Sequence, residues 1–278
     1  MSSFVHLHVH SYYSVLDGMS SIPGLVDKAT KSGMNAIALT DHGNMFGVKE
    51  FFNYVKKKNG KVKDQIKAIE KELKTEGLSD ERKAELEKQL ADAKSHLFKP
   101  ILGCEAYVAR NSRTSKSQQE DRSGYHLVLL AKNKTGYRNL CKLVSLGWMD
   151  GFYYRPRIDH EILEKYSEGI IASSACLGGE IHKKVESGNL QAAEEAALWY
   201  KRVFGDDYYI ELQRHKTDKP NADYECFPKQ QRQNEELIKI ARKTGIKLVA
   251  TNDVHFVEEE HGEAHERLIC LSTGKDLD

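Results

Sequence analysis

Val5-His6-Leu7-His8-Val9-His10 sets three imidazoles in alternation with three aliphatic side chains, and Asp17-Gly18 follows close behind. In an extended strand, alternate residues share a face, so His6, His8 and His10 point one way while Val5, Leu7 and Val9 point the other. Three imidazoles in register make a poor hydrophobic surface and a good wall for a divalent metal, because neutral imidazole ligates zinc and its first-row neighbours. The plain alternative is a surface strand whose outer face carries histidines. That alternative weakens if similar donors recur at the ends of other strands.

They do recur. Short apolar, β-branched runs predict strands at Phe4 to His10, Ala36 to Thr40, Ile101 to Val108, Tyr125 to Leu130, Gly169 to Ser173, Tyr208 to Leu212 and Lys247 to Thr251. Helical periodicity falls between them, near Ile22 to Lys31, Met45 to Lys57, Thr135 to Leu146, Leu190 to Phe204, Gln230 to Thr244 and Glu258 to Leu271. Strand–helix alternation predicts an α/β fold on a parallel sheet, open or closed into a barrel. In such folds chemistry gathers at the carboxyl ends of the strands. Thr40 runs into Asp41-His42, Ser173 towards Cys176, and Thr251 into Asn252-Asp253-Val254-His255.

The chain's 278 residues fit one large domain, 1–278, or a compact domain with an insertion. A formal net charge of +1 gives no field that would announce nucleic acid, so a polyanion would be held by local groups. No apolar run approaches a membrane span and no signal-peptide core is present. The five cysteines are scattered and form no Cys-x-x-Cys pair, which fits a reducing, cytoplasmic setting better than a disulfide framework. The closing Leu-Ser-Thr-Gly-Lys-Asp-Leu-Asp suggests a domain taken from a longer protein.

Residues 61–97 break the rhythm. Val62, Ile66, Ile69 and Leu73 form one narrow apolar stripe, and Leu86, Leu90, Ala93 and Leu97 form another. Gly77 suits a helix C-cap and Ser79 an N-cap, which predicts an inserted antiparallel helical hairpin. The lysines at 56–58, 61 and 63 read first as a solvated face, with nucleic-acid contact as the sharper alternative. Residues 111–122 are polar and without periodicity, which predicts a mobile surface loop.

Collected from the strand ends, the donors are His8, His10, Asp17, His42, Glu105, His126, Cys176, Asp253 and His255. Nine are too many for one zinc, which takes four ligands. They suit two or three ions bridged by carboxylates, a cluster that serves phosphate-ester hydrolysis without a side-chain nucleophile. No Gly-rich phosphate loop or nucleophile elbow competes.

His-Leu-His-Val-His-Ser with Leu-Asp-Gly, Leu-Thr-Asp-His-Gly, Gly-Cys-Glu, the His126 strand and Ala-Thr-Asn-Asp-Val-His-Phe resemble the PHP (polymerase and histidinol phosphatase) domain. Thr135 to Leu140, Gly151 to Asp159 and Thr251 to Phe256 resemble, more narrowly, the N-terminal PHP domain of the bacterial DNA polymerase III alpha subunit. The resemblance implies a distorted seven-stranded (β/α)7 TIM-like barrel with three metals at one mouth. It makes the nine donors the metal ligands, with Asp17 and Cys176 where stand-alone phosphatases of the superfamily usually have histidine. Some polymerase members have lost several ligands; here every position carries a side chain able to bind metal. Thiolate and imidazole favour zinc, while the carboxylates accept manganese or magnesium.

Around these donors, alternatives stay open. His6 reads as strand packing or a neighbour of the ligands, with metal contact as the sharper alternative, and Asp41 as the start of the following helix or as a group that orients His42. Arg214 and His215, with Glu211, are candidates for the scissile phosphate, with surface polarity as the plainer reading. Arg155 and Arg157 are planar donors suited to phosphate or to a loop-fixing salt bridge. His261 and His265 lie one helical turn apart but lack the His-Glu-x-x-His order. His96, His160 and His182 read as surface histidines. The leading functional expectation is a metal-dependent 3′-to-5′ exonuclease domain of a replicative DNA polymerase, with Asp253, His255 and Glu105 at the reacting centre. Its partners would be a primer 3′ end, the remaining polymerase domains and replisome subunits. A metal-braced docking module and a histidinol-phosphatase-like phosphomonoesterase are the alternatives.

Overall fold

Eight short strands and ten helices carry out the predicted alternation in a computed structural model that describes residues 4–117, 119–218 and 226–277. The strands are β1 (Ala36–Leu39), β2 (Lys99–Val108), β3 (Tyr125–Ala131), β4 (Phe152–Tyr153), β5 (Arg155–Ile158), β6 (Ile170–Ser173), β7 (Tyr208–Leu212) and β8 (Lys247–Ala250). They form one curled sheet in the order β4-β5-β2-β3-β6-β7-β8, with β1 on the first half of β2. The N-terminal segment joins the two sides. Its His6 and Val9 carbonyls accept from Ala38 and Thr40, while His8 and His10 exchange bonds with Val254 beyond β8. Because its backbone groups are divided between two neighbours, this predicted strand is an extended segment bridged at Val9–Val254 rather than a regular ladder. Counting that segment and omitting the small β4–β5 hairpin, seven chain passes surround the interior, an α/β barrel of the expected kind.

The sheet is not uniformly parallel, which corrects the sequence reading. β3 runs antiparallel to both β2 and β6, whereas β1–β2, β6–β7 and β7–β8 are parallel. The cause is the connection after β2, whose described residues carry only a short 3-10 turn at Gln119–Arg122. Without a crossover helix the chain cannot return parallel. The start of β3 therefore lies at the rim where β2 ends, with Tyr107 opposite His126.

Directly opposed residues share a face of the sheet. Glu105, Val128 and Ser173 stand in line on the inside; Cys104, Leu129 and Ala172 stand on the outside. The outer row packs on helices α5 (Lys134–Met149), α8 (Leu190–Phe204) and α9 (Cys226–Thr244) through Leu140, Leu143, Ala193, Ala197 and Leu237. On the far side, Val9, Ile37 and Leu39 pack on α1 (Ile22–Lys31) and α2 (Val48–Lys58) through Ile22, Val26, Phe51 and Val55. α6 (His160–Lys165), α7 (Glu180–Glu186) and the β4–β5 hairpin were not predicted; each is too short to show periodicity. α10 (Gly262–Thr273) follows a 3-10 turn at Glu259–His261.

α3 (Gly60–Glu72) and α4 (Asp80–Ser95) pack together on a small core of Ile66, Ile69, Leu86 and Ala93, with Gly77 at φ +83° and the Ser79 hydroxyl accepting from Arg82 N. Asn59 ties the two ends of this pair, donating to the Phe98 carbonyl and accepting from its amide at 2.8 and 3.0 Å. At residues 113–115 the predicted mobile loop is instead pinned. Arg157, wholly buried, donates to the Arg113 and Ser115 carbonyls, and Arg113 bonds Asp159. Arg157 is thus spent on backbone carbonyls, which removes it from the phosphate candidates.

Candidate metal centre

Donors from six separate stretches of chain meet at one rim of the barrel, with Cys176 from a seventh at its edge. His8 and His10 come from the N-terminal segment, with Asp17 on the turn behind it. His42 follows β1, Glu105 points inward from β2, His126 opens β3, and Asp253 and His255 follow β8. Asp253 takes φ +49°, a left-handed conformation that aspartate tolerates better than most residues. That bend brings its carboxylate and the His255 ring to the same site.

Glu105 is the hub. Its Oε1 lies 3.1 Å from His8 Nε2 and 2.9 Å from His126 Nδ1, and its Oε2 lies 2.5 Å from His42 Nδ1. Asp253 Oδ1 lies 3.1 Å from His8 Nε2 and 3.2 Å from His10 Nε2. Asp17 Oδ2 reaches His42 Nε2 at 2.5 Å and His255 Nε2 at 3.3 Å. Cys176 stands at the edge, its Sγ 3.6 Å from His126 Nδ1 and 3.7 Å from Glu105 Oε1. Three overlapping sets result: His8, His10 and Glu105; His10, His42 and His255; His42, Glu105 and His126. Within each set the donor atoms lie within 4.8 Å of one another.

These groups fit metal better than they fit each other. His8 Nε2, His10 Nε2, His42 Nδ1, Glu105 Oε2 and Asp253 Oδ1 are buried, and none makes a hydrogen bond among the described residues despite the short separations. Buried polar atoms ordinarily find partners, so five orphans aimed at one space match donors for cations. Shared members and a central carboxylate suit more than one ion.

Electrostatics agree. Burial, followed by the neighbouring His42 and His255, pushes His10 down to about 3, leaving its ring neutral. Burial opposes charge on His42 too, but Glu105 and Asp17 outweigh it and raise His42 to about 10. Glu105 and Asp253 resist burial through the imidazoles around them and stay ionised well below the usual carboxylate range. Burial and then the carboxylates Asp253 and Glu105 push the Cys176 thiol up, so without a cation it keeps its proton.

Supporting side chains fix the orientation of the donors. Glu211, wholly buried, lies 3.1 Å from His8 Nδ1 and accepts from the Ser173 and Thr251 hydroxyls at 2.5 Å each. This corrects its reading as a phosphate-reaching or surface residue. Glu211 sits between Ile210 and Leu212 in a strand, and an acid in such a row pointing inward is the signal that could have found it. Asp41 does not start α2, whose N-cap is Gly47. Its carboxylate accepts from Ser11 N and from the Ser11 and Ser14 hydroxyls, and Ser14 Oγ meets His10 Nδ1 at 2.9 Å.

The remaining candidates fall into place around this frame. His6 joins none of the three sets and packs edge-on against Phe4. Arg155 is exposed, its guanidinium 5.7 Å above the Tyr107 ring, which lies 6.0 Å from the His42 ring. His215 is held by Gln230 and the Asn252 carbonyl, beside Asp253, and Arg214 lies over Phe227. His261 and His265 go to different neighbours, His261 to the Glu258 amide and His265 towards the His255 ring. His96 is exposed and His160 stacks on Trp199. His182 is buried, bonded to Ser174 and Gln233, which corrects its reading as a surface residue; the unpredicted helix α7 turns it inward.

Comparison with known proteins gives a consistent family. The chain is 42% identical over 274 residues to the DNA polymerase III subunit alpha of Borreliella burgdorferi, covering 98% of this chain and 20% of that protein. It is 41% identical over 276 residues to the same-named protein of Treponema pallidum, covering 99% of this chain and 20% of that one. The chain thus spans about a fifth of the length of the curated relatives it matches. Among solved structures, a histidinol phosphate phosphatase from Lactococcus lactis is 13% identical with a TM-score of 0.34, covering 98% of this chain and 94% of that chain. The family profile of the PHP domain matches residues 6–215. On that match, the chain belongs to the PHP domain family.

Proposed function

We propose that this chain is the PHP domain of a replicative DNA polymerase III alpha subunit and that its rim is a metal-dependent phosphodiesterase acting as a 3′-to-5′ exonuclease. The observation that carries the reading is the convergence of six donors in three overlapping sets, with Asp17, Asp253 and Cys176 in contact with them and five donor atoms buried and orphaned. The residues to hold two or three divalent ions, zinc first and manganese or magnesium next, are His8, His10, Asp17, His42, Glu105, His126, Cys176, Asp253 and His255. When bound, such ions lower the pKa of a coordinated water and neutralise the phosphoryl oxygen. The chain's own part is geometric. Glu105 and Asp253 hold negative charge at the centre, Glu211 and the Asp41–Ser14 pair set the His8 and His10 rings, and His255 lies at the entrance to handle a proton. Arg155, Arg214 and His215 stand outside the donors, where a DNA strand's phosphates would lie.

The test is hydrolysis of a primer with a mismatched 3′ end, in manganese or zinc. The parent chain is expected to release nucleotides, and Asp253→Asn and His255→Gln to lose that release by orders of magnitude. Product that survives both substitutions ends the assignment. A second reading is a metal-braced docking module within the polymerase. It is favoured by the irregular N-terminal segment, which contributes two donors and closes the barrel with few backbone bonds. Bound metal with no hydrolysis, and a large fall in melting temperature on chelation, would select it.

A further inference from the structure

An exposed aromatic row lies beside the metal centre, and none of its members takes part in holding metal. Phe46 is 60% exposed, Trp148 at the end of α5 41%, and Phe152 on β4 45%. Their rings form a contiguous row: Phe46 to Trp148 is 5.8 Å with the planes tilted by 39°, and Trp148 to Phe152 is a stack at 5.5 Å with the planes 19° apart. The Trp148 indole N–H donates to the Gly43 carbonyl at 2.9 Å, which anchors the row one residue from His42. Adjoining it, Arg155 lies over Tyr107, whose ring is 5.2 Å from that of His126, and Arg122 lies 4.9 Å over the exposed Tyr154. Among the described residues neither arginine forms an ion pair with a carboxylate, so both charges remain available.

Aromatic faces held rigidly in water, interleaved with guanidinium groups, are the equipment of proteins that bind single strands: bases stack on the rings and phosphates meet the cations. A protein-docking face shares aromatic rings and arginines, so a protein partner is the competing occupant. We propose that Phe46, Trp148 and Phe152 form a stacking platform for the unpaired bases of a single nucleic-acid strand, with Arg155 and Arg122 on its phosphates. That the strand's end is thereby delivered to the metal centre rests on the phosphodiesterase reading above; the platform itself does not.

The sequence contains two tryptophans, so a Trp199→Phe chain reports from Trp148 alone. Titrated with oligothymidylate in a chelating buffer, its emission is expected to quench saturably as a base stacks on the indole. Phe46→Ala, Phe152→Ala and, by anisotropy of a labelled oligonucleotide, Trp148→Ala are each expected to weaken binding roughly tenfold. Arg155→Ala should flatten the salt dependence of binding, and a blunt duplex should bind more weakly than the single strand. Unchanged far-ultraviolet dichroism and zinc content certify the variants' fold. An absent quench, or variants that bind like the parent, overturns the proposal. So does loss of docking to the later segments of the polymerase chain with oligonucleotide binding intact, which assigns the face to protein. Since no divalent ion is present, strand binding without hydrolysis in the companion assay removes the nuclease reading and leaves the platform standing.

Discussion

Glu211 sets the ring of His8: its Oε2 lies 3.1 Å from His8 Nδ1, and both side chains are sealed from solvent. The other imidazole nitrogen of His8 is thereby aimed at Glu105 and Asp253. A carboxylate behind a ligating histidine fixes the tautomer and raises the basicity of the ring. Glu211→Gln keeps the shape and removes the charge. It is expected to weaken zinc binding by roughly 10–100-fold, measured by competition with a chromophoric chelator. Equal affinity in parent and variant would show that Glu211 merely fills space.

Proton release should accompany metal uptake. His42 is raised to about 10 by Glu105 and Asp17 acting against burial, so in the metal-free chain it is protonated at neutral pH. Because its folded value exceeds the ordinary 6.5, its contribution to metal-free stability is full below pH 6.5 and fades as pH rises through about 10. A cation must displace that proton, so metal affinity should climb with pH over the same window. Titration calorimetry in buffers of different ionisation enthalpy tests this; a heat independent of the buffer contradicts it.

Acid should act through His182. Burial lowers its pKa, with only partial opposition from Gln233, so the folded state favours the neutral ring. The stability it supports is present above the ordinary 6.5 and is lost as pH falls below that value. Urea midpoints of the metal-free chain should therefore drop on the acid side, and His182→Gln should flatten that drop while lowering the midpoint at neutral pH.

Close packing behind His126 gives a steric prediction. A Cβ on Gly178 would stand 2.9 Å from His126 Cγ, and the Gly178 carbonyl accepts from His126 N at 3.0 Å. Gly178→Ala should push the ring off its position 2.9 Å from Glu105 Oε1. The expected result is loss of metal stoichiometry by elemental analysis with the dichroism spectrum retained; full occupancy would show that the loop yields freely.

Leu86 offers the control, since it is 1% exposed inside the α3–α4 pair and far in packing from the barrel interior. Leu86→Ala should cost about 2–5 kcal/mol locally. Hydrogen exchange in α3 and α4 should quicken while zinc affinity stays unchanged.

Sequence periodicity located most of the frame because long helices and buried strands repeat regularly: α1 and α8 coincide with the predicted ranges. The converging donors were legible for a different reason, since polar residues interrupting apolar strand ends are conspicuous. The direction of β3 was not, because an antiparallel strand and a parallel one carry the same side-chain alternation. For that reason His126 appeared as another strand terminus, although it begins its strand. Glu211, Asp41 and His182 were misread because a polar residue's burial depends on partners brought in from elsewhere: His8 for Glu211, Ser11 and Ser14 for Asp41, Gln233 for His182. Phe46, Trp148 and Phe152 are each unremarkable in sequence and become a unit only where the turn after β1, α5 and β4 converge.

The bridge between Val9 and Val254 makes the centre a late event in the life of each molecule. A ribosome delivers His8 and His10 at once, then most of the barrel, before Asp253 emerges and His255 completes the set with His10 and His42. Until then two imidazoles and a cluster of inward acids wait without their counterparts, and contacts of such sequence separation are slow to form. Any ion held by His10, His42 and His255 together would therefore arrive only after the last strand has been made.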